Sequence, residues 1–236
     1  MTLDALVVDP AVSSLRPDFA VLALLVSGVR NGPTTPDSDA WLGDAERAAR
    51  AAADAGPHAH VLAWHEAFRA FGAKPQRTAS SVAALCQRAV KGQLPRVNWL
   101  VDLYNAVSVA HVLPVGGEDA DRFVGALRLI RASGDEPFES VKNGERAMER
   151  PERGEVVWAD DAGVSCRRWN WRQGTRTRLV EDTTRVLFLL EALEPYSLEA
   201  LAAAGDDLVA RLHLHQPDAV VERRLLGPRA GGQGAR

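Results

Sequence analysis

The stretch "VNWLVDLYNAVSVAHV", residues 97 to 112, is apolar almost all the way round at helical spacing, yet it carries Asn98, Asp102 and Asn105 at i, i+4 and i+7. That spacing stacks three polar side chains along one stripe of a helix. A helix that is apolar on every side belongs in a core, and polar groups buried with it must find partners. Two readings follow. Either the stripe satisfies loop backbone and neighbouring elements, or it lines or supports the wall of a polar pocket.

Upstream of this helix, "LVV" and "FAVLALLVSGVRN" read as strands, and the turn-rich break from Asn31 to Asp39 leads into a helix expected to be capped by Asp37 or Ser38 and to stop at Gly56 and Pro57. A second helix is predicted from about His58 to Phe71, with Val61, Leu62, Trp64, His65 and Phe68 at helical spacing, and a third from about Ser80 to Val90. Downstream of Pro114 the pattern changes to short β elements. "GALRLIRAS" alternates at period two, and "EVVWADDAGVSCRRWNWR" reads as two strands joined at Asp-Asp-Ala-Gly. "RVLFLLEAL" is a further strand, followed by a loop with Pro195 and a helix capped by Ser197 that runs to about His213.

The run "CRRWNWRQGTRTR", residues 166 to 178, packs five arginines and two tryptophans into thirteen positions. Read as a strand, it sets Trp169 and Trp171 on one face with Arg167 and Gln173, and Arg168, Asn170 and Arg172 on the other. A basic run with interleaved aromatics suits the stacking of single-stranded nucleic acid. A sheet edge whose arginines lay their stems along apolar surface has the same pattern.

Composition bounds the possibilities. With 236 residues, 46% hydrophobic and 25% charged, the chain has the make-up of an ordinary globular protein able to bury a sizeable core. Cys86 and Cys166 form no CxxC or disulfide framework, the opening "MTLDALVVDP" carries acids rather than a basic leader, and the apolar run from Phe19 to Val26 is far too short for a membrane span. A reducing, cytoplasmic setting is expected. A formal net charge of -3 argues against DNA as a partner and restricts any nucleic-acid contact to a local patch. Positive charge is nearly all arginine, with lysine only at Lys74, Lys91 and Lys142.

The chain contains no GxGxxG after a strand, no GxxxxGK[ST], no HExxH and no GxSxG, so dinucleotide, P-loop, zinc-protease and serine-hydrolase chemistry lack their usual supports. His58 with His60, and His213 with His215, stand at i and i+2, which do not share a helix face, so no metal or other cofactor is expected. In "GGEDADRF" the glycines Gly116 and Gly117 allow backbone to approach a ligand, while Glu118 and Asp119 could hold an amine or position a water. A solvated turn is the alternative there. Glu155, after Gly154 at the start of a strand, is a further candidate whose alternative is an edge-strand charge.

The series from "AWHEAFRAFGAKPQRTASSVAALCQRAVKGQLPRVNWLVDLYNAVSVAHVLPVGGEDADRF" to "GEVVWADDAGVSCRRWNWRQGTRTRLVEDTT" resembles the B3/B4 domain family, the tRNA-editing module of the phenylalanyl-tRNA synthetase beta subunit, over roughly residues 58 to 195. Its most specific part is "NWLVDLYNAVS", similar to a synthetase run with an Asn, a Val-Asp pair and a second Asn at this spacing. The chain departs from the synthetase in the next segment, where Leu113 stands for a Gln and Gly116 for a His, while Pro114 and Asp119 are kept. It is similar to free-standing members at Glu155, Arg168, Trp169, Trp171 and Thr183.

The resemblance implies an α+β fold with a mostly antiparallel or mixed sheet packed with helices. The parts expected are an N-terminal strand and helix portion over 1–57, a core with its C-terminal helix over 58–215, and a disordered tail over 216–236. It implies hydrolysis, in trans, of the ester joining a wrong amino acid to a tRNA acceptor end, because 236 residues leave no room for the modules of a complete ligase. In that reading Glu118, Asp119 and Asn105 are catalytic. Asn98, Asp102, Gly116, Gly117, Glu155 and Thr183 bind substrate, and Arg168, Trp171 and Arg172 bind RNA. The alternative is a non-catalytic module that holds an amino acid, a nucleotide or a tRNA end.

Overall fold

A computed structural model describes residues 1 to 228. In chain order these form β1 (Leu6–Val8), α1 (Pro10–Leu15), β2 (Ala20–Ser27), α2 (Pro36–Ala51), α3 (Ala59–Ala70), α4 (Ser81–Val90) and α5 (Trp99–His111). There follow β3 (Val115–Asp119), β4 (Leu127–Arg131), β5 (Phe138–Lys142), β6 (Glu145–Glu149), β7 (Val156–Asp160), β8 (Gly163–Arg167) and β9 (Arg172–Gln173). The last elements are β10 (Arg185–Ala192), α6 (Leu198–His215) and β11 (Val220–Leu226).

The fold is α+β. One antiparallel sheet has the order β11-β2-β10-β3, and a second, with a single parallel pair between β1 and β4, has the order β1-β4-β7-β8-β9. The unbroken apolar runs of β2 and β10 follow from cover on both faces. Val21, Ala23, Leu25, Leu187 and Leu189 point into a core shared with Leu127, Leu129, Val156 and Trp158 of the second sheet and with Trp64 and Phe68 of α3. Leu22, Leu24, Val26, Phe188 and Leu190 point the other way, onto Leu100, Leu103 and Val107 of α5 and Leu201, Leu208 and Leu212 of α6. The first sheet is thus a middle layer between helices and the second sheet.

Several expectations are corrected. Thr35, not Asp37 or Ser38, caps α2: its hydroxyl accepts from the Ser38 N–H, and the Ser38 hydroxyl in return accepts from the Thr35 N–H. "GGED" is not a solvated turn but part of the edge strand β3, paired with β10. The hairpin β5–β6 is an element that the alternation did not single out, although Asn143-Gly144, with φ of +54° and +85°, is a hairpin signal. Residues 220–226, assigned above to a disordered tail, form β11 along β2, while 229–236 lie outside the described residues.

The tryptophan run is corrected as well. Strand β8 ends at Arg167, because Arg168 and Trp169 take φ of +48° and +68°, a left-handed conformation that non-glycine residues rarely adopt. The two-faced alternation therefore fails. The turn drives Trp169 into the core, fully buried, with its ring 5.0 Å from Phe19 and 5.4 Å from Trp64.

Candidate active site

The polar stripe of α5 splits. Asn98 is the N-cap of the helix and its Oδ1 accepts from the Val101 N–H at 3.0 Å. Asp102, fully buried, accepts from the Val97 N–H at 2.9 Å and the Ser38 hydroxyl at 3.2 Å, which fastens α5 to the start of α2. Asn105, one turn further on, lines a cavity of about 280 Å³.

This cavity lies where α4 and α5 meet β3, β10 and the chain from Trp169 to Gln173. Gly116, Gly117 and Glu118 come from β3, Glu191 from β10, and Trp158 and Cys166 from the second sheet. Each glycine has its own reason. A Cβ on Gly117 would stand 2.8 Å from Cε1 of Tyr104, whereas one on Gly116 would meet nothing within 4 Å, because that position faces open space.

Two carboxyl groups line the cavity. Glu118 is 5% exposed and accepts from Nε2 of Gln173 at 2.7 Å, the same nitrogen that reaches the Gly117 carbonyl at 2.8 Å. Burial outweighs these contacts and pushes its pKa up to about 8. Glu191, 2% exposed, accepts from the Trp158 indole N–H and from Nδ2 of Asn170, both at 2.8 Å, and burial pushes it up to about 7. The half-buried Cys166 thiol is driven well above its ordinary value, chiefly by the same desolvation, so it is poorly suited to act as a nucleophile.

Three side-chain polar atoms among the wall residues are shielded from solvent and lack a hydrogen-bond partner: the Ser81 hydroxyl, the Trp169 indole N–H and Oδ1 of Asn170. Unpartnered polar atoms concentrated around one hollow are a mark of a ligand site, since such groups are normally satisfied. At the mouth, Arg88 of α4 is exposed and Arg172 is half-buried, and the Trp171 ring centre is 4.6 Å from the guanidinium carbon of Arg168 and 5.9 Å from that of Arg172.

Of the expected site residues, the cavity gathers Asn105, Gly116, Gly117, Glu118, Trp171 and Arg172. Asn98, Asp102, Asp119, Glu155, Thr183 and Arg168 lie outside its lining. Asp119 accepts from the Thr183 hydroxyl at 2.8 Å and the Asp121 N–H at 3.1 Å, which makes the pair a clasp on the loop after β3. Glu155 is not an edge-strand charge. It accepts from Nε and Nη2 of Arg167 at 2.9 and 2.7 Å and from the Arg168 N–H at 3.0 Å, and so stabilises the left-handed turn. Arg168 is held near the same acid, 3.6 Å from Glu155 and 3.4 Å from Glu152. Glu191, Gln173, Asn170 and Arg88 were not singled out, although a lone acid inside "LFLLEAL" is a signal in itself, because charge inside an apolar run must be paired. Among the described residues no group of three or more His, Cys, Asp or Glu side chains is arranged to hold a metal, and no helix is long and apolar enough to cross a membrane.

The family model described as the B3/4 domain matches residues 63–204, more than half of the chain, and the chain belongs to the B3/4 domain family. Among solved structures it is similar to an N-terminal fragment of the phenylalanyl-tRNA synthetase beta-subunit from Pyrococcus horikoshii, at 13% identity and a TM-score of 0.45. The match covers 93% of this chain and 49% of that one, so the chain spans about half the length of the fragment. No curated protein matches the chain.

Proposed function

We propose that this protein hydrolyses the ester of mischarged aminoacyl-tRNA in trans, as a tRNA-editing deacylase. The observation that carries the reading is the cavity itself, which combines a buried, cavity-facing carboxyl group of near-neutral pKa with a mouth of arginines and a tryptophan. Its roughly 280 Å³ lies just below the ~300–1,000 Å³ typical of small-ligand sites, a size suited to one aminoacyl group.

An activated ester demands little of its catalyst beyond orientation and charge stabilisation. In this reading a water oxygen adds to the ester carbonyl carbon while its proton passes to the ionised form of Glu118. The bond from that carbon to the ribose oxygen then breaks, and the same proton goes to the leaving hydroxyl. A general base works best with a pKa near the working pH, which suits a carboxyl group at about 8 better than one at its ordinary value. The Asn105 amide would receive the negative charge that develops on the carbonyl oxygen. Outside the cavity, Arg88 and Arg172 would meet the terminal phosphates while Trp171 stacks on the end base. Asp119 and Thr183 would support the strand that carries Glu118, and Asn98, Asp102 and Glu155 would hold the walls.

The test is a deacylation assay over a panel of mischarged tRNAs. Release of free amino acid that disappears in Glu118→Gln and Asn105→Ala, with the fold intact by circular dichroism, supports the hydrolase. Saturable tRNA binding with no loss of ester would refute it in favour of the non-catalytic binding module.

A further inference from the structure

Apart from Arg185 at its start, Glu191 is the only charged residue of β10, and the hydrolysis above makes no use of it. It belongs to a continuous polar wall. The Asn170 amide donates to Glu191 at 2.8 Å, and the Asn170 carbonyl accepts from the backbone N–H of Ser81 at 3.1 Å. Along this wall Oδ1 of Asn170 and the hydroxyl of Ser81 have no partner, and the Glu191 oxygens accept one hydrogen bond each although a carboxylate can accept more. What the wall lacks is a donor with several N–H groups.

We propose that the Glu191–Asn170–Ser81 wall is a subsite for a primary ammonium group, the α-amine of the bound aminoacyl moiety, whose three N–H groups go to Glu191, to Oδ1 of Asn170 and to the Ser81 hydroxyl. The inference rests on the reading of the cavity as an aminoacyl site and extends it to the part of the substrate that every amino acid shares. Charge argues for the assignment. The other titratable groups around the hollow are Glu118, Cys166 and Tyr104, and the arginines Arg88 and Arg172 line its mouth. An anionic group on the same wall would meet Glu191 and would leave the Asn170 oxygen unsatisfied.

Binding is measured by titration calorimetry with a panel of amino-acid amides, each set against its desamino counterpart, so that neither tRNA nor ester hydrolysis enters the result. The best amide is expected to bind about tenfold or more tighter than its desamino partner, in line with hydrogen bonds to a charged group. Glu191→Gln, which keeps the side-chain shape, is expected to erase that ratio, and Asn170→Ala or Ser81→Ala to reduce it. Near pH 7 binding should also release protons, seen as a dependence of the heat on buffer ionisation, because an ammonium draws the proton off Glu191. That release should be lost in Glu191→Gln while Glu118 is still present. Equal binding of amide and desamino partner, a ratio unchanged in Glu191→Gln, or no binding by any member of the panel would overturn the proposal. Amine-selective binding without ester hydrolysis would leave the subsite standing and remove the deacylase.

Discussion

Gln173 holds Glu118 in place from a neighbouring sheet: one side-chain nitrogen donates to the Glu118 carboxyl group at 2.7 Å and to the Gly117 carbonyl at 2.8 Å. The contact joins the two-residue strand β9 of one sheet to the edge strand β3 of the other. It also opposes the effect of burial on Glu118, since a donor favours the ionised form. If Glu118 is the base, deacylation should rise with pH through about 8. Gln173→Ala should move that profile to higher pH, and Glu118→Gln should lower the rate by about 10²–10⁴-fold. A pH–rate profile of the three proteins decides this, and a Gln173→Ala profile that coincides with wild type would count against Glu118 as the base.

The two glycines of β3 should part company under the same substitution. Gly116→Ala adds a methyl group in open space, so the melting temperature should stay near wild type while substrate binding weakens. Gly117→Ala drives a methyl group into Tyr104 and should cost about 1–3 kcal/mol of stability. Thermal melts alongside amide binding separate the two effects.

Arg172→Ala and Arg88→Ala should each weaken tRNA binding across sequences and reduce the slope of log affinity against log salt by about 1. Arg168 differs, because it sits between Glu152, Glu155 and the Trp171 ring. Its replacement by Ala should reduce the salt slope less than either of the others, and filter-binding titrations over a salt series check the order.

Three buried groups should set the pH dependence of stability, one histidine against two acids. His60 is buried, and its Nε2 accepts from the Trp64 indole N–H and the Leu193 N–H while Nδ1 donates to the Val112 carbonyl. Burial holds its pKa down at about 4, so the unfolded chain takes up the proton first and this group's own contribution to stability falls as pH drops below about 6.5 towards 4. Glu118 and Glu191 act in the opposite sense. Their raised values mean that the folded protein binds more protons between the ordinary carboxyl range and pH 7 to 8, so their contribution fades as pH rises through that window. Between about pH 4.5 and 6.5 the two acids outweigh the one imidazole, so urea unfolding should show stability falling as pH rises from about 4.5 to 8, and a Glu118→Gln/Glu191→Gln double variant should lose that fall and keep the His60 rise up to about 6.5.

What the sequence made legible were features with local causes. The helix of residues 99–111 was readable from its spacing, and the cap Ser197 from its chemistry. Asn105, Gly116 and Glu118 could be nominated because amides, glycines and acids near one another suggest a pocket. The left-handed turn at Arg168 and Trp169 was not legible, because nothing in "RRWNW" announces it. It is stabilised by Glu155, thirteen residues before Arg168, and by the core that receives Trp169. Asp102 and Glu155 were misassigned for a related reason: a buried acid that accepts from backbone N–H groups or an arginine has the same one-letter code as one that faces a ligand. Glu191 reaches the cavity only because β10 lies beside β3 in the sheet, a long-range pairing that no local pattern encodes.

The strand β11 has a consequence of its own. It covers one flank of β2, a strand greasy on both sides, and its own residues are exposed or half-buried, with charges at Glu222, Arg223 and Arg224. Stripped of that shield, β2 would present a row of bare amides framed by leucine and valine, an open invitation to another chain. The strand thus acts as a hem, and a protein trimmed back to the end of α6 would keep its cavity while gaining a strong tendency to clump.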